Sequence, residues 1–185
     1  ILAFGPGEGR GKVRLDGTLA DGAVIEATEF HLTAMHTPGH ASNHLCYLLN
    51  EERTLFTGDH IMQGSTVVIS PPDGDMAAYL ASLERLKTIR PRLKAIAPGH
   101  GHLIDDPLAT IDEYIEHRLA REKQVLDALR TRGTTTIAEI VEDLYADVAP
   151  QLHPVAQRSV WAHLRKLADE GEAKGDRFDG EWSAT

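Results

Sequence analysis

Three short segments carry side chains that bind metals, and each repeats one design: an apolar run, a glycine-containing turn, then the polar group. They are AMHTPGH ending at His40, LFTGD ending at Asp59, and AIAPGH ending at His100. Imidazole and carboxylate together are an ordinary ligand set for zinc. Loops held by a rigid sheet are where such groups are displayed, because the strands fix the backbone while the loop leaves the side chain accessible. In HTPGHASNH the histidines His36, His40 and His44 recur every four residues, the interval that puts side chains on one helical face. Pro38 and Gly39 argue against a helix there, since the proline removes a hydrogen bond and the glycine adds entropy, roughly 3 and 1 kcal/mol. Pro-Gly suits the centre of a type II turn instead. His40 is therefore expected just past a turn, with its partners elsewhere in the fold.

The elements that would position these groups follow from periodicity. AVIEATEFHLTAMHT alternates Phe30, Leu32 and Ala34 against His31, Thr33 and Met35, the pattern of a half-buried strand. HLCYLLN and RTLFTGD predict two more strands joined at residues 50–52. Met76, Leu80, Leu83 and Leu86 recur at helical spacing, with Asp73 or Asp75 as cap and Pro91 as the stop. LKAIAPGHG predicts a buried strand. Strands and helix alternate, so residues 20–105 are expected in a layered α/β arrangement. Asp106-Pro107 opens a long helix with a stripe of Leu108, Ile111, Ile115, Leu119, Leu126 and Leu129, closed by Gly133. A capping box, Thr136 to Glu139, opens the next helix, Pro154 a third, and two strand-like pieces around Asp179-Gly180 end the chain. Helix, helix, helix, hairpin is the order of a winged helix-turn-helix. The expected boundary lies inside the long helix, giving domains of residues 1–114 and 115–185.

The chain has 185 residues and a net charge of −9, which opposes nonspecific phosphate binding. No apolar stretch approaches the roughly 20 residues of a membrane span, so no membrane partner is expected. The single cysteine, Cys46, sits in an apolar run and excludes an intrachain disulfide. A reducing, cytoplasmic location is the expectation. GPGEGRG, residues 5–11, has neither the strand before it nor the helix after it that a dinucleotide fingerprint requires, and is read as a loop.

In order and spacing, HTPGHASNH, LFTGDHI and IAPGHG resemble the third, fourth and fifth motifs of the metallo-β-lactamase superfamily. GSTVVISPPDGDMAAYLASLERL and the helical tail resemble more narrowly its subgroup around lactamase-like protein two, which includes an endoribonuclease. The resemblance implies an α/β (α+β) fold, the C-terminal part of an αββα sandwich followed by a small winged helix. It implies His40 as ligand of a first zinc, Asp59 as the catalytic bridge between two zincs, and His100 as ligand of the second. Two such ions, about 3.5–4 Å apart, would hold a hydroxide that attacks an ester, thioester or phosphodiester, with no organic cofactor. The superfamily's first motif, HxHxDH, precedes these segments and is not found between Ile1 and His31. An upstream half carrying it is therefore expected in the natural protein, and this chain alone is expected neither to bind two zincs tightly nor to hydrolyse efficiently.

Other residues get more modest expectations. His60, Ser65 and Thr66 are candidates to line the substrate pocket. His36 and His44 are expected to support the turn around His40, and His102 to be exposed or to orient its neighbours. The third tail helix carries Arg158, Arg165 and Lys166, but Asp169, Glu170, Asp176, Asp179 and Glu181 crowd around them, so DNA reading is not expected. Trp161 and Trp182 are expected as core residues. A small ester or thioester, or single-stranded RNA, is the expected substrate, and self-association is left open. The competing reading is a winged-helix nucleic-acid-binding protein whose lactamase-like part is a degenerate, non-catalytic scaffold.

Overall fold

A computed structural model describes residues 2–3 and 17–185 of the chain. Residues 5–11, expected as a loop, lie outside the described residues. The fold is mixed α/β, and its contacts divide it into two units: Ile1–Val67 with Asp73–Ile115, and Val68–Pro72 with Glu116–Thr185.

In the first unit, β1 (Leu2–Ala3) and β2 (Gly17–Thr18) form a short parallel pair. The main sheet has five strands in chain order: β3 (Val24–Glu26), β4 (His31–His36), β5 (Leu45–Leu49), β6 (Thr54–Gly58) and β7 (Ala95–Pro98). The first four are antiparallel and β7 joins β6 in parallel. Where alternation predicts one strand from Ala23 onward, the chain reverses between β3 and β4, closed by the Ala27 N–H on the Phe30 carbonyl at 3.0 Å. Phe30 falls in that turn and is exposed, because a reversal in the polar EATE stretch leaves the alternating pattern unchanged.

The register sorts the sheet into two faces, since partners across a ladder point the same way. Met35, Cys46, Leu55, Thr57 and Ile96 share one face and are buried. On the other, Leu32, Leu45, Tyr47 and Leu49 are half-buried and Phe56 is 43% exposed. The crossover from β6 to β7 contains α1 (Met76–Lys87), capped by the Asp75 carboxylate, which accepts the Ala78 N–H at 2.7 Å. It buries Met76, Tyr79, Ser82, Leu83 and Leu86, and ends at Thr88, three residues before the proline expected to stop it, as the Thr88 N–H turns back to the Arg85 carbonyl.

Helix α2 (Pro107–Arg132) starts in the first unit and continues into the second. The second unit also holds α3 (Ile137–Leu144) and α4 (His153–Asp169). Its three-stranded antiparallel sheet has β10 (Glu181–Ala184) at the centre, flanked by β8 (Thr135–Thr136) and β9 (Ala173–Lys174). The core gathers Val125, Leu129, Ile140, Val141, Val160, Leu164 and Trp182. Leu119, expected in the α2 stripe, is 47% exposed, and Arg118 takes the inward position at 3%. The Thr136–Glu139 capping box is complete, with each side chain holding the other's backbone N–H.

Candidate metal-ligand site at the strand ends

Asp59 follows β6 directly and His100 stands two residues beyond β7. Because these strands run parallel, both side chains emerge at the same end of the sheet. The Gly99 N–H bonds the Gly58 carbonyl at 2.8 Å, pulling the two exits together. A Cβ on Gly99 would lie 3.0 Å from the Gly58 carbonyl group and 3.2 Å from Asp59 Oδ1, so a side chain between the last strand and His100 would crowd both groups and require them to give by a few tenths of an ångström. The result is an Asp59 Oδ1 to His100 Nε2 separation of 3.4 Å, with both side chains substantially open to solvent. The Gln63 N–H on the His100 carbonyl, at 3.1 Å, ties the loop after β6 to the loop after β7.

His40 is positioned from the other side by α1. Gly39 has φ +135°, and a Cβ there would meet the Cα of Tyr79 at 2.3 Å, so helix and loop touch backbone to backbone. The Asp75 N–H donates to the Gly39 carbonyl at 2.8 Å and the Ser82 hydroxyl to the Pro38 carbonyl at 2.8 Å. The Pro-Gly segment is thus a loop as expected, clamped to the first two turns of a helix some forty residues later in the chain.

Behind His40 the histidines stack inward. The His40 and His44 rings are 6.5 Å apart, His44 lies 5.4 Å from His60 in a stacked arrangement, and His60 is 4.8 Å from Tyr79. Burial pushes the His44 imidazole down to about 4, helped by His40 beside it. Burial also holds His60 well below its ordinary range. Both rings are neutral near pH 7. His44 Nδ1 is 2.9 Å from the buried Thr37 hydroxyl, and that hydroxyl is also within 3.2 Å of Cys46 Sγ. His60 is fully buried, with neither ring nitrogen hydrogen-bonded.

The other expected residues are placed as follows. His36 Nε2 bonds the Ser42 carbonyl at 2.8 Å, while its backbone is held by Asp21 and Arg85. Ser65 is exposed and Thr66 half-buried; the Ser65 carbonyl accepts the Tyr114 hydroxyl at 2.6 Å. His102 is exposed. Sequence reasoning missed Thr37, Tyr79 and the steric demand at Gly99. Tyr79 was within reach, since it follows Met76 by three and so shares the buried face of α1.

Carboxylate beside imidazole is donor chemistry that suits a divalent ion. Among the described residues, however, no three His, Cys, Asp or Glu side chains converge on one point. A catalytic zinc keeps three protein ligands, so the described residues do not by themselves fit a complete metal centre.

Comparison with known proteins adds the context that geometry alone lacks. Residues 5–100 match the metallo-beta-lactamase superfamily and residues 136–182 the beta-lactamase associated winged helix domain. The chain is 33% identical over 159 residues to a beta-lactamase-like protein 2 homolog of Caenorhabditis elegans, covering 86% of this chain and 52% of the relative. It is 37% identical over 138 residues to an atrochrysone carboxyl ACP thioesterase of Aspergillus chevalieri, covering 70% and 42%. A solved metallo-beta-lactamase family protein from Thermus thermophilus superposes with a TM-score of 0.80 at 24% identity, over 93% of this chain and 55% of that one. The chain spans about half the length of the relatives it matches. Two domain matches in the same order as the two kinds of architecture described above, one of them over the sheet that carries Asp59 and His100, make the chain a member of the metallo-beta-lactamase superfamily.

Proposed function

We propose that the whole protein is a metal-dependent hydrolase acting on an acyl thioester, and that this chain supplies His40, Asp59 and His100 to a zinc centre whose remaining donors lie outside the described residues. The observation that carries the reading is the Asp59–His100 pair, 3.4 Å apart at adjoining strand ends that the Gly99 N–H draws together through the Gly58 carbonyl. Both groups are open to solvent, which suits a reaction that consumes water. Relatives named as ACP thioesterases favour a thioester over a phosphodiester. Hydrolysis of such a bond adds water across the carbonyl–sulfur linkage, giving a carboxylic acid and a thiol.

The test is thiol release from an acyl thioester by the full-length protein, with and without added zinc. Zinc-dependent release that falls by orders of magnitude in Asp59→Asn and His100→Ala is the expected result. Cleavage of unstructured RNA without thiol release would move the assignment to the endoribonuclease reading. Activity on neither, with nucleic-acid binding retained, would leave the non-catalytic winged-helix reading instead.

A further inference from the structure

Helix α4 carries a group of cations and rings that the proposed site does not use. Arg158 Cζ lies 4.3 Å from the Phe178 ring centroid and 6.0 Å from that of Trp161, and Arg165 Cζ is 5.9 Å from Trp161. Trp161 and Phe178 pack edge to face at 5.3 Å. Guanidinium groups stacked on aromatic faces lose little further freedom when they bind, because the ring already fixes the plane.

Among the described residues these two arginines belong to the cations of the unit that no carboxylate neutralises, together with Arg121, which stacks on Tyr145, and Lys174. Elsewhere in the same unit Lys123 pairs with Asp127, Arg130 with Glu172, Arg132 with Asp143, Lys166 with Glu122 and Glu170, and Arg177 with Asp179. Among the described residues Arg158 and Arg165 have no carboxylate in ion-pair reach, in a chain of net charge −9. They sit seven residues apart, two helical turns or about 10.5 Å along the axis. Carboxylates two turns apart on a facing helix have the same spacing. Val155, 46% exposed one turn before Arg158, and Leu152, 52% exposed just ahead of α4, add an apolar end to the same stretch.

A polyphosphate fits this surface poorly. Duplex DNA presents a negative charge about every 1.7 Å and rewards many cations, while here two are offered. Two fixed cations with an apolar patch match an amphipathic acidic helix, on which carboxylates are few and spaced.

We propose that the α4 face formed by Val155, Arg158, Trp161 and Arg165, with Phe178 beside it, docks an acidic helix of a carrier protein that bears the acyl thioester. The partner follows from the thioester reading above; the surface stands on its own geometry. Charge complementarity at such a rim governs encounter and register more than raw affinity, so binding is salt-sensitive.

The test uses the full-length protein and a purified acyl carrier protein labelled for fluorescence anisotropy. Wild type is expected to bind, with affinity falling as ionic strength rises. The double variant Arg158→Gln, Arg165→Gln is expected to bind about tenfold more weakly. Circular dichroism and the thermal midpoint of the variant show whether the fold is kept, and Lys123→Gln, which removes an already paired cation, is expected to bind like wild type. No carrier binding, or binding that the double variant leaves unchanged, overturns the proposal, as does an oligonucleotide that binds through these arginines while the carrier does not. Release of thiol from a small acyl thioester needs no docking, so failure there tells against the hydrolase reading and not against this surface.

Discussion

At the scale of single residues, the site depends on places where a side chain is forbidden as much as on those where one is required. Gly39→Ala would drive a methyl into the backbone of Tyr79 while holding a φ that L residues rarely adopt. The expected cost is about 3 kcal/mol, read as a fall in the thermal midpoint, and a fall of under a degree would show that loop and helix separate freely. That His40, Asp59 and His100 each stand on a loop past a turn was legible in the sequence, because each ends an apolar run and a turn, which is local information. The burial of His60 was not, since it is made by Tyr79 and His44, which arrive from other elements. Adjacency to Asp59 suggested a shared pocket, but the turn closed by the His60 N–H on the Thr57 carbonyl at 2.9 Å leaves His60 fully buried while Asp59 stays open to solvent. The buried His163 is a second case of this kind. It stands 3.4 Å from Glu122, with Lys166 on α4 and Arg118 on α2 as the other charged neighbours. Burial lowers its pKa, Glu122 opposes that, and Arg118 and Lys166 reinforce it. The unfolded chain therefore takes the proton more readily, so the stability it contributes is full above about 6.5 and declines as pH falls below that value. For Glu122 burial alone would raise the pKa, but hydrogen bonds from His163 and Lys166 outweigh it and hold it below 4.5. Its contribution has the same sign and is lost in a lower window. A thermal midpoint that drops between about pH 7.5 and 5.5 in wild type, and less in His163→Leu, is the expected outcome. Equal drops would locate the effect elsewhere.

Among the elements, helix starts were the most readable features. Asp75, Asp106 and Thr136 each accept an N–H from the first turn of the helix they open. Thr136→Ala removes one half of the capping box on α3 and is expected to cost about 1 kcal/mol, measurable by denaturant unfolding. No change in the midpoint would mean that packing alone holds the start of α3. Strand content was less readable. The turn between β3 and β4 was hidden by unbroken alternation, and β8 has only two residues and is a strand because β10 lies beside it. The α2 stripe was misread at one position. Leu119 is apolar and exposed, while Arg118 buries its long stem where periodicity places an inward residue. Hydrophobicity identified the helix; only the neighbouring elements decide which of two adjacent residues turns in.

For the whole molecule, the two matched regions and the two units are separable statements about different chemistry. The first carries the Asp59–His100 pair, and because no three such donors converge among the described residues it makes a prediction about this chain. Zinc titrated into it calorimetrically is expected to give affinity weaker than about 1 μM, abolished by Asp59→Ala. Tight binding by this chain would mean that a third donor swings in. The parallel pairing of β6 and β7 has a further consequence, in kinetics. The antiparallel strands before it form from neighbours in sequence, whereas β7 can pair only after the chain has travelled through α1 and returned. Contacts so distant in sequence close late, because the entropy of the excursion is lost before the pairing repays it. In a refolding time course the far-ultraviolet helical signal should therefore recover first, and the approach of Asp59 to His100 last, so that a newly made chain is well folded by most measures before these two side chains have met.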